Sequence, residues 1–483
     1  MTIHATTTIK ELRELLRAKE ISPREVADGY LRRCKAYDGK LEAFLELYEP
    51  SALEFSHADH APLYGIPGAI KDNICQKGHK ATCASKILEN FVAPYDATSV
   101  ARLKAAGATM LGRANCDEFA MGSSGETSAF QKTKNPWDLT RVPGGSCSGS
   151  AAAVAAGLVP WAIGSDTGGS VRQPAALCGV VGSKPTYGLI SRYGLIALAS
   201  SLDTIGVMTR TVYDNAVVVG AMVGADGKDS TALPLQGPYD YTPYLTGKVK
   251  PGLKIGVVTN AVHAKGIDAG VKKLLEQAIA DYKHLGAQIV ELALPTMDYG
   301  AAVYFMINRA EAASNLARFD GVRYGYRDKD AETLSDMYEK TRGAGFGREV
   351  IRRILTGNYV LSVGHAEQYY ASACTVQRMM RAEFVAAFKS VDLLFFPVSP
   401  APAFKIGALD NDPLQMALED YFTCPINIVK MPAVSVPCGF VDGMPVAFQL
   451  VGPDCSEGLI FQTCHAYEQM HDWYKQVPEW VRA

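Results

Sequence analysis

The stretch Val142–Pro174 constrains this chain more than any other. It reads V-P-G-G-S-C-S-G-S-A-A-A-V-A-A-G-L-V-P-W-A-I-G-S-D-T-G-G-S-V-R-Q-P. Two Gly/Ser clusters flank a small-residue segment. Glycines this dense let backbone N–H groups face a ligand, because no Cβ blocks the approach. Such a loop serves either as an anion cradle or as an oxyanion hole beside a nucleophile, and Ser146 and Ser170 stand where a nucleophile could be held. A phosphate loop requires Lys and then Ser or Thr after its last glycine, whereas Gly149 is followed by Ser150 and Gly169 by Ser170. The G-x-G-x-x-G spacing of a dinucleotide turn is absent as well. Nucleophilic chemistry and a purely structural use of the glycines are the readings left.

The 483 residues are 48% hydrophobic and 20% charged, enough for a large core. A net charge of −2 supplies no basic field to attract nucleic acid. The 11 cysteines form no C-x-x-C pair and the nine histidines no metal-binding spacing, so a disulfide framework and a metal site are not expected. The N-terminal segment has no apolar core of a signal peptide and is too acidic for a transit peptide. The weakly polar run 151–164 is short and broken by Pro160, a buried helix and strand rather than a membrane span. A cytoplasmic protein without a membrane anchor is the expectation.

Ile9, Leu12, Leu15 and Leu16 share one face of a helix over 8–19, and Ser22-Pro23 starts a second helix running to about Tyr37. Both are expected to pack outside the main body. The apolar G-I-P-G-A-I predicts a short strand that delivers Lys71 at its end. A helix over 98–106, strands over 109–112 and 161–164, and helices over 150–156 and 171–178 give the β-α alternation of an α/β sheet. Residues 226–250 predict a surface connection. A strand, helix and strand over 253–259, 268–285 and 288–294 elaborate the same sheet. Segments 309–319 and 347–389 are predicted mostly helical, 391–397, 433–437 and 446–451 are predicted strands, and 457–470 a closing helix.

A serine nucleophile needs a base. No histidine lies in the Gly/Ser stretch and the G-x-S-x-G elbow is absent. A lysine serves instead where burial keeps it neutral, and Lys71 is the candidate. A lone lysine at a strand end is otherwise a surface or ion-paired residue.

Three linked motifs give Lys71 its weight. Gly65-Ile66-Pro67 through Lys71-Asp72, Gly144 to Ser150 and Gly164 to Pro174 resemble the three motifs of the amidase signature family. The last matches G-x-D-T-G-G-S-x-R-x-P throughout. The resemblance implies an α/β fold, a mixed central sheet covered by helices, with one amidase domain over 1–483, a signature core over 65–210 and the N-terminal helices of 1–60 outside it. It also implies a relay in which Lys71 takes a proton through Ser146 from Ser170, and Ser170 attacks an amide carbonyl. The backbone N–H groups of Thr167, Gly168, Gly169 and Ser170 would hold the oxyanion, Asp166 and Arg172 would support the loop, and the bridging serine would follow a cis peptide bond, here Gly145–Ser146. The chain departs from the pattern at Cys147, where the family has serine, and at Ser148, where it has glycine; a φ above zero at Ser148 would bring strain. G-S-C-S-G also resembles the cysteine elbow of another amidotransferase class, with His365-Ala366-Glu367 as its partner, but that elbow needs a preceding strand and 136–143 is polar and proline-bounded.

Within the family, Asp117–Ser123, Asn135–Leu139, Ser191–Leu195 and Ser314–Gly325 are similar to the glutaminase subunits of tRNA-dependent amidotransferases. That similarity implies hydrolysis of glutamine to glutamate and ammonia. It implies a B subunit that uses ATP and Mg2+ to amidate glutamate or aspartate on tRNA, a small C subunit that completes a heterotrimer, and tRNA held mainly by the B subunit. No cofactor or metal is expected on this chain. Arg353 matches the position for the glutamine carboxylate, with Arg352 as its rival, Asp420 the position for the amine, and Tyr304 a tyrosine near the substrate. A stand-alone amidase for another small amide and a non-catalytic assembly subunit are the alternatives.

Overall fold

The computed structural model describes residues 3–482 except His57. Eleven strands form one mixed sheet in the order β1-β3-β2-β4-β6-β5-β10-β11-β9-β7-β8. They are β1 (Phe44–Leu47), β2 (Pro67–Lys71), β3 (Thr109–Ala114), β4 (Trp161–Asp166), β5 (Val181–Lys184), β6 (Thr204–Thr209), β7 (Lys254–Val258), β8 (Gln288–Leu292), β9 (Leu393–Pro397), β10 (Ala433–Val441) and β11 (Met444–Val451). β2 runs parallel to both β3 and β4, and β7 parallel to β8 and β9. β4, β6, β5, β10, β11 and β9 pair antiparallel in turn. Every residue of β2, β3, β4, β5 and β6 is buried, as strands covered on both faces must be. The unit around β7 and β8 extends the same sheet, as its sequence suggests.

The helices begin where capping chemistry places them. Thr8 and Glu11 form a reciprocal capping box at α1 (Ile9–Arg17), and Ser22 and Glu25 do the same at α2 (Pro23–Leu41). α2 runs four residues beyond the expected Tyr37. Its Val26, Tyr30 and Leu31 are buried, and Arg33 donates to Ala156 O, Gly157 O and Val481 O, which seams the two ends of the chain to the body. α3 (Thr98–Ala105), α4 (Ser148–Ala155), α5 (Arg172–Cys178) and α6 (Val212–Met222) follow. α4 is made of Ser, Gly, Ala and a single Val, and all of it is buried, since only small side chains let a helix lie this close to the sheet and to α5.

Some expectations need correction. The helix expected over 309–319 spans Gly300–Leu316, and the segment 347–389 is broken between Leu361 and Glu367. β1, β5, β6, α6 and the helix Leu334–Gly345 carry no strong sequence signal. β5 and β6 contain glycine, and their stability comes from neighbours on both sides rather than from local pattern. Among the described residues no helix is long and apolar enough to cross a membrane. All 11 cysteines are free thiols.

Candidate active site

The parallel pairing of β2 with β4 decides where the chemistry lies. Lys71 is the last residue of β2 and Asp166 the last of β4, so both strands release their next residues at the same edge of the sheet, the edge at which open α/β sheets bind ligands. The loop Thr167–Ser170 leaves β4 there and turns into α5. The loop before α4 carries Ser146 after a cis Gly145–Ser146 peptide. Cys147 N donates to Ser170 O at 3.2 Å, which ties the two loops together.

Lys71 is fully buried. Its Nζ donates to Ser146 Oγ at 2.7 Å, Cys147 Sγ at 3.2 Å and Ser165 Oγ at 3.2 Å. Asn73 Nδ2 donates to the same Ser165 hydroxyl at 2.9 Å. Among the described residues no carboxylate bonds the amine. Ser146 is wholly enclosed, while Ser170 is 7% exposed, so only the second serine reaches the cleft. Among the described residues Ser170 Oγ makes no hydrogen bond, and the amides of Thr167, Gly168, Gly169 and Ser170 donate to none of the loop and turn carbonyls. Four consecutive unspent N–H groups beside a free hydroxyl can receive a negatively charged oxygen.

Asp166 and Arg172 hold this loop rigid. Arg172 Nε and Nη2 meet the two oxygens of Asp166 at 3.0 Å each. The remaining guanidinium donors reach Gln449 Oε1 at 2.8 Å and Asn427 Oδ1 at 2.6 Å, and Asp166 also accepts the amide of Val171. Burial raises the Asp166 carboxyl, but the Arg172 charge and its hydrogen bonds outweigh this and hold it at about 2. Thr167 Oγ1 donates to Asp203 Oδ1 at 2.7 Å, which anchors the other end of the loop.

Tyr304, Arg353 and Asp420 come from separate segments and meet over that loop. Tyr304 packs on Gly168 so closely that a Cβ there would lie 2.6 Å from its Oη. Asn308, one helical turn on, donates to Tyr304 Oη at 3.3 Å and accepts from Arg353 Nη1 at 3.4 Å. Arg353 Nε pairs with Glu349 at 2.7 Å, and the Arg353 side chain is 11% exposed. Arg352 pairs with the same Glu349 but is 42% exposed. Helix phase therefore turns Arg353 inward and Arg352 outward. Asp420 Oδ2 accepts from Ser123 Oγ at 2.6 Å, while its Oδ1 is buried without a partner. Burial raises Asp420, against the pull of Ser123 and Arg353, to about 7.

The model for the family described as amidase matches residues 25–461. The chain belongs to the amidase family. The A subunit of glutamyl-tRNA(Gln) amidotransferase from Geobacillus kaustophilus is 50% identical over 480 residues, 98% of each chain. The crystal structure of the Thermotoga maritima A subunit of glutamyl-tRNA(Gln) amidotransferase matches with a TM-score of 0.84 and 41% identity, over 99% of this chain and 98% of that one. The native peptide amidase from Stenotrophomonas maltophilia matches with a TM-score of 0.80 and 29% identity, over 96% of each. The mixed sheet with its helical cover is thus the amidase signature fold.

Two departures from the amidase pattern have a structural account. Ser148 takes helical backbone at the start of α4 and is not among the residues with positive φ, so the strain considered there does not arise. Cys147 is sealed, its Sγ donating to Ser165 O at 3.2 Å while accepting from Lys71, and burial pushes its thiol up. Among the described residues no strand leads into it from 115 to 146, and His365 packs on Tyr359 at 4.4 Å, so the cysteine elbow has neither its strand nor its histidine. Cys147 can instead help to orient Lys71. A Cys147→Ser variant is expected to keep amide hydrolysis within about fivefold, because a hydroxyl makes both bonds, and Cys147→Ala to lower it by about tenfold or more. Steady-state rates of the two variants check this.

Sequence reasoning missed Ser165, Asn73, Ser123, Asn308 and Asp203. Ser165 and Ser123 lie inside motifs singled out above, and that adjacency was the available signal. Asn308 and Asp203 had none. Among the described residues no group of three or more His, Cys, Asp or Glu is placed to hold a metal ion.

Proposed function

We propose that this chain is the glutaminase subunit of a glutamyl-tRNA(Gln) amidotransferase, hydrolysing glutamine and supplying ammonia for amidation of a glutamate or aspartate esterified to tRNA. The observation that carries this is near-full-length similarity, at 50% identity, to the A subunit of that enzyme. The partners are a B subunit, where ATP and Mg2+ act and tRNA is mainly held, and a C subunit, in a cytoplasmic heterotrimer.

Glutamine enters with its α-carboxylate toward Arg353, its α-ammonium toward Asp420 and its side-chain amide over Ser170. Ser170 Oγ attacks the amide carbon. Its proton passes to Ser146 Oγ, whose own proton passes to Lys71 Nζ, and the oxyanion sits on the amides of Thr167 to Ser170. On collapse the C–N bond breaks, the relay returns the proton to nitrogen, and ammonia leaves a glutamyl ester on Ser170. Water attacks that ester and gives its proton to the same relay; as the C–O bond to Ser170 breaks, the relay returns that proton to Ser170 Oγ and glutamate leaves. Lys71 fits the role of base as a neutral amine: its two N–H groups donate to Cys147 Sγ and Ser165 Oγ, and its lone pair faces the Ser146 hydroxyl across the 2.7 Å contact and takes that proton.

The amine site has a pH signature. Asp420 attracts the substrate ammonium only when ionised, and its carboxyl stands at about 7. KM for glutamine is therefore expected to fall as pH rises through about 7. Asp420→Asn should flatten that dependence and raise KM by about tenfold or more. Ammonia release from glutamine, by this chain alone and with B and C subunits, tests the reading as a whole. Release that rises with the partners supports it, and hydrolysis of other amides but not glutamine in either setting sinks it.

A further inference from the structure

Near Arg353, on the helix that carries Tyr304 and Asn308, stands a cation that the mechanism above does not use. Arg309 follows Asn308 on the Gly300–Leu316 helix and is 6% exposed. Its guanidinium lies 3.5 Å from the centroid of the Phe305 ring. That stacking uses the face of the group and leaves the N–H donors at its edge free. No hydrogen bond or ion pair with a described residue reaches those donors, and they are not among the sealed unpaired atoms, so they open onto accessible space.

The neighbourhood has more positive charge than it can neutralise. A Cβ at Gly357 would lie 2.0 Å from Arg309 O, so the Gly300–Leu316 and Arg348–Leu361 helices touch here. Arg353 is one turn before Gly357 and reaches Asn308. Among the described residues Glu349 is the one carboxylate that pairs with arginine at this corner, and it already serves both Arg352 and Arg353, at 2.6 and 2.7 Å. Burial and the Arg353 charge both disfavour the charged form of Arg309. A buried guanidinium without a counterion is unfavourable until an anion arrives.

We propose that Arg309 is a specificity-determining residue that acts with Arg353 to hold the free carboxylate of an α-amino-acid amide. This rests on the reading of the site as one for glutamine and adds a second anchor to it. Two guanidinium groups on adjacent helices select for a substrate with a carboxylate and against amides without one.

The test uses Ser170→Ala, which binds without turnover, in the full chain with its B and C subunits. Calorimetry compares L-glutamine with 4-aminobutyramide, the same molecule without its carboxylate. Adding Arg309→Met is expected to weaken glutamine by about tenfold or more while leaving 4-aminobutyramide within about twofold, and Arg309→Lys to recover part of the loss. Removing an unpaired cation should leave the melting temperature unchanged or raised, so a folding defect is visible separately. Equal weakening of both ligands, unchanged glutamine binding, or no glutamine binding by Ser170→Ala would each overturn the proposal. If the active enzyme releases no ammonia from glutamine but the Arg309 variants still separate the two ligands, the glutaminase reading fails and the carboxylate anchor stands.

Discussion

Ser170→Ala is expected to lower ammonia release from glutamine by about 10^4-fold or more while the protein remains folded and able to assemble. Ser170 is the more exposed hydroxyl of the pair, and among the described residues its Oγ makes no hydrogen bond that the fold would miss. Removing a single oxygen from a site with 7% exposure leaves packing intact, so loss of turnover without loss of the melting transition isolates a chemical role. The same measurement decides against the alternatives. A non-catalytic assembly subunit would have no turnover to lose, and activity that survives Ser170→Ala but vanishes in Cys147→Ala would move the nucleophile to the thiol. The geometry opposes that outcome, because Cys147 is sealed behind Ser146 with both of its polar contacts spent on Lys71 and Ser165 O.

Arg172→Met is expected to cost about 3–5 kcal/mol of stability, because it leaves the Asp166 carboxylate buried without its charge partner. Both side chains are fully buried, and the pair also joins β4 to Gln449 of β11 and to Asn427. The urea midpoint measures the loss. Its pH dependence gives the sign. Asp166 in the wild type stands at about 2, below the ordinary carboxylate value of about 3.9. Its ionised form therefore stabilises the fold above that ordinary value, and the contribution fades as pH falls through about 2. In Arg172→Met the lone carboxylate prefers a proton, so the variant gains stability on acidification where the wild type loses it. The gap between the two should narrow from about pH 5 toward about pH 2. A gap independent of pH would mean that packing of the arginine stem, not the charge pair, supports the loop. Asp166→Asn placed on Arg172→Met should recover part of the loss.

What was legible in the sequence was the part of the site held by local chain geometry. Lys71, Ser146 and Ser170 stand in motifs whose glycines, prolines and small residues fix the backbone over a few positions, and their spacing along the chain is visible without a fold. The capping boxes of α1 and α2 are local in the same sense, since Thr8 with Glu11 and Ser22 with Glu25 close their own hydrogen bonds. The strand carrying Lys71 and the strand and helix around Trp161 and Ala151 were readable because apolar and small residues run unbroken there.

Only tertiary structure could decide the rest. β5 and β6 are strands because β4 and β10 supply the hydrogen bonds on either side, a reason no window of sequence contains. Tyr304, Arg353 and Asp420 become one site because three distant segments converge on the loop after β4. Arg352 and Arg353 are adjacent and chemically identical in sequence; the phase of their helix against the Gly300–Leu316 helix turns one inward to Asn308 and leaves the other on the surface. Arg309 gave no signal as a letter in a helix. Its meaning comes from burial, from the ring beneath it and from a shortage of carboxylates around it, which are properties of packing. The sequence by itself determined where the candidate nucleophile and relay lie, because Lys71, Ser146 and Ser170 each stand in a local motif. The placing of Arg353 against Asp420 was left to the fold, because these two charges come from segments far apart in the chain and only packing sets their separation.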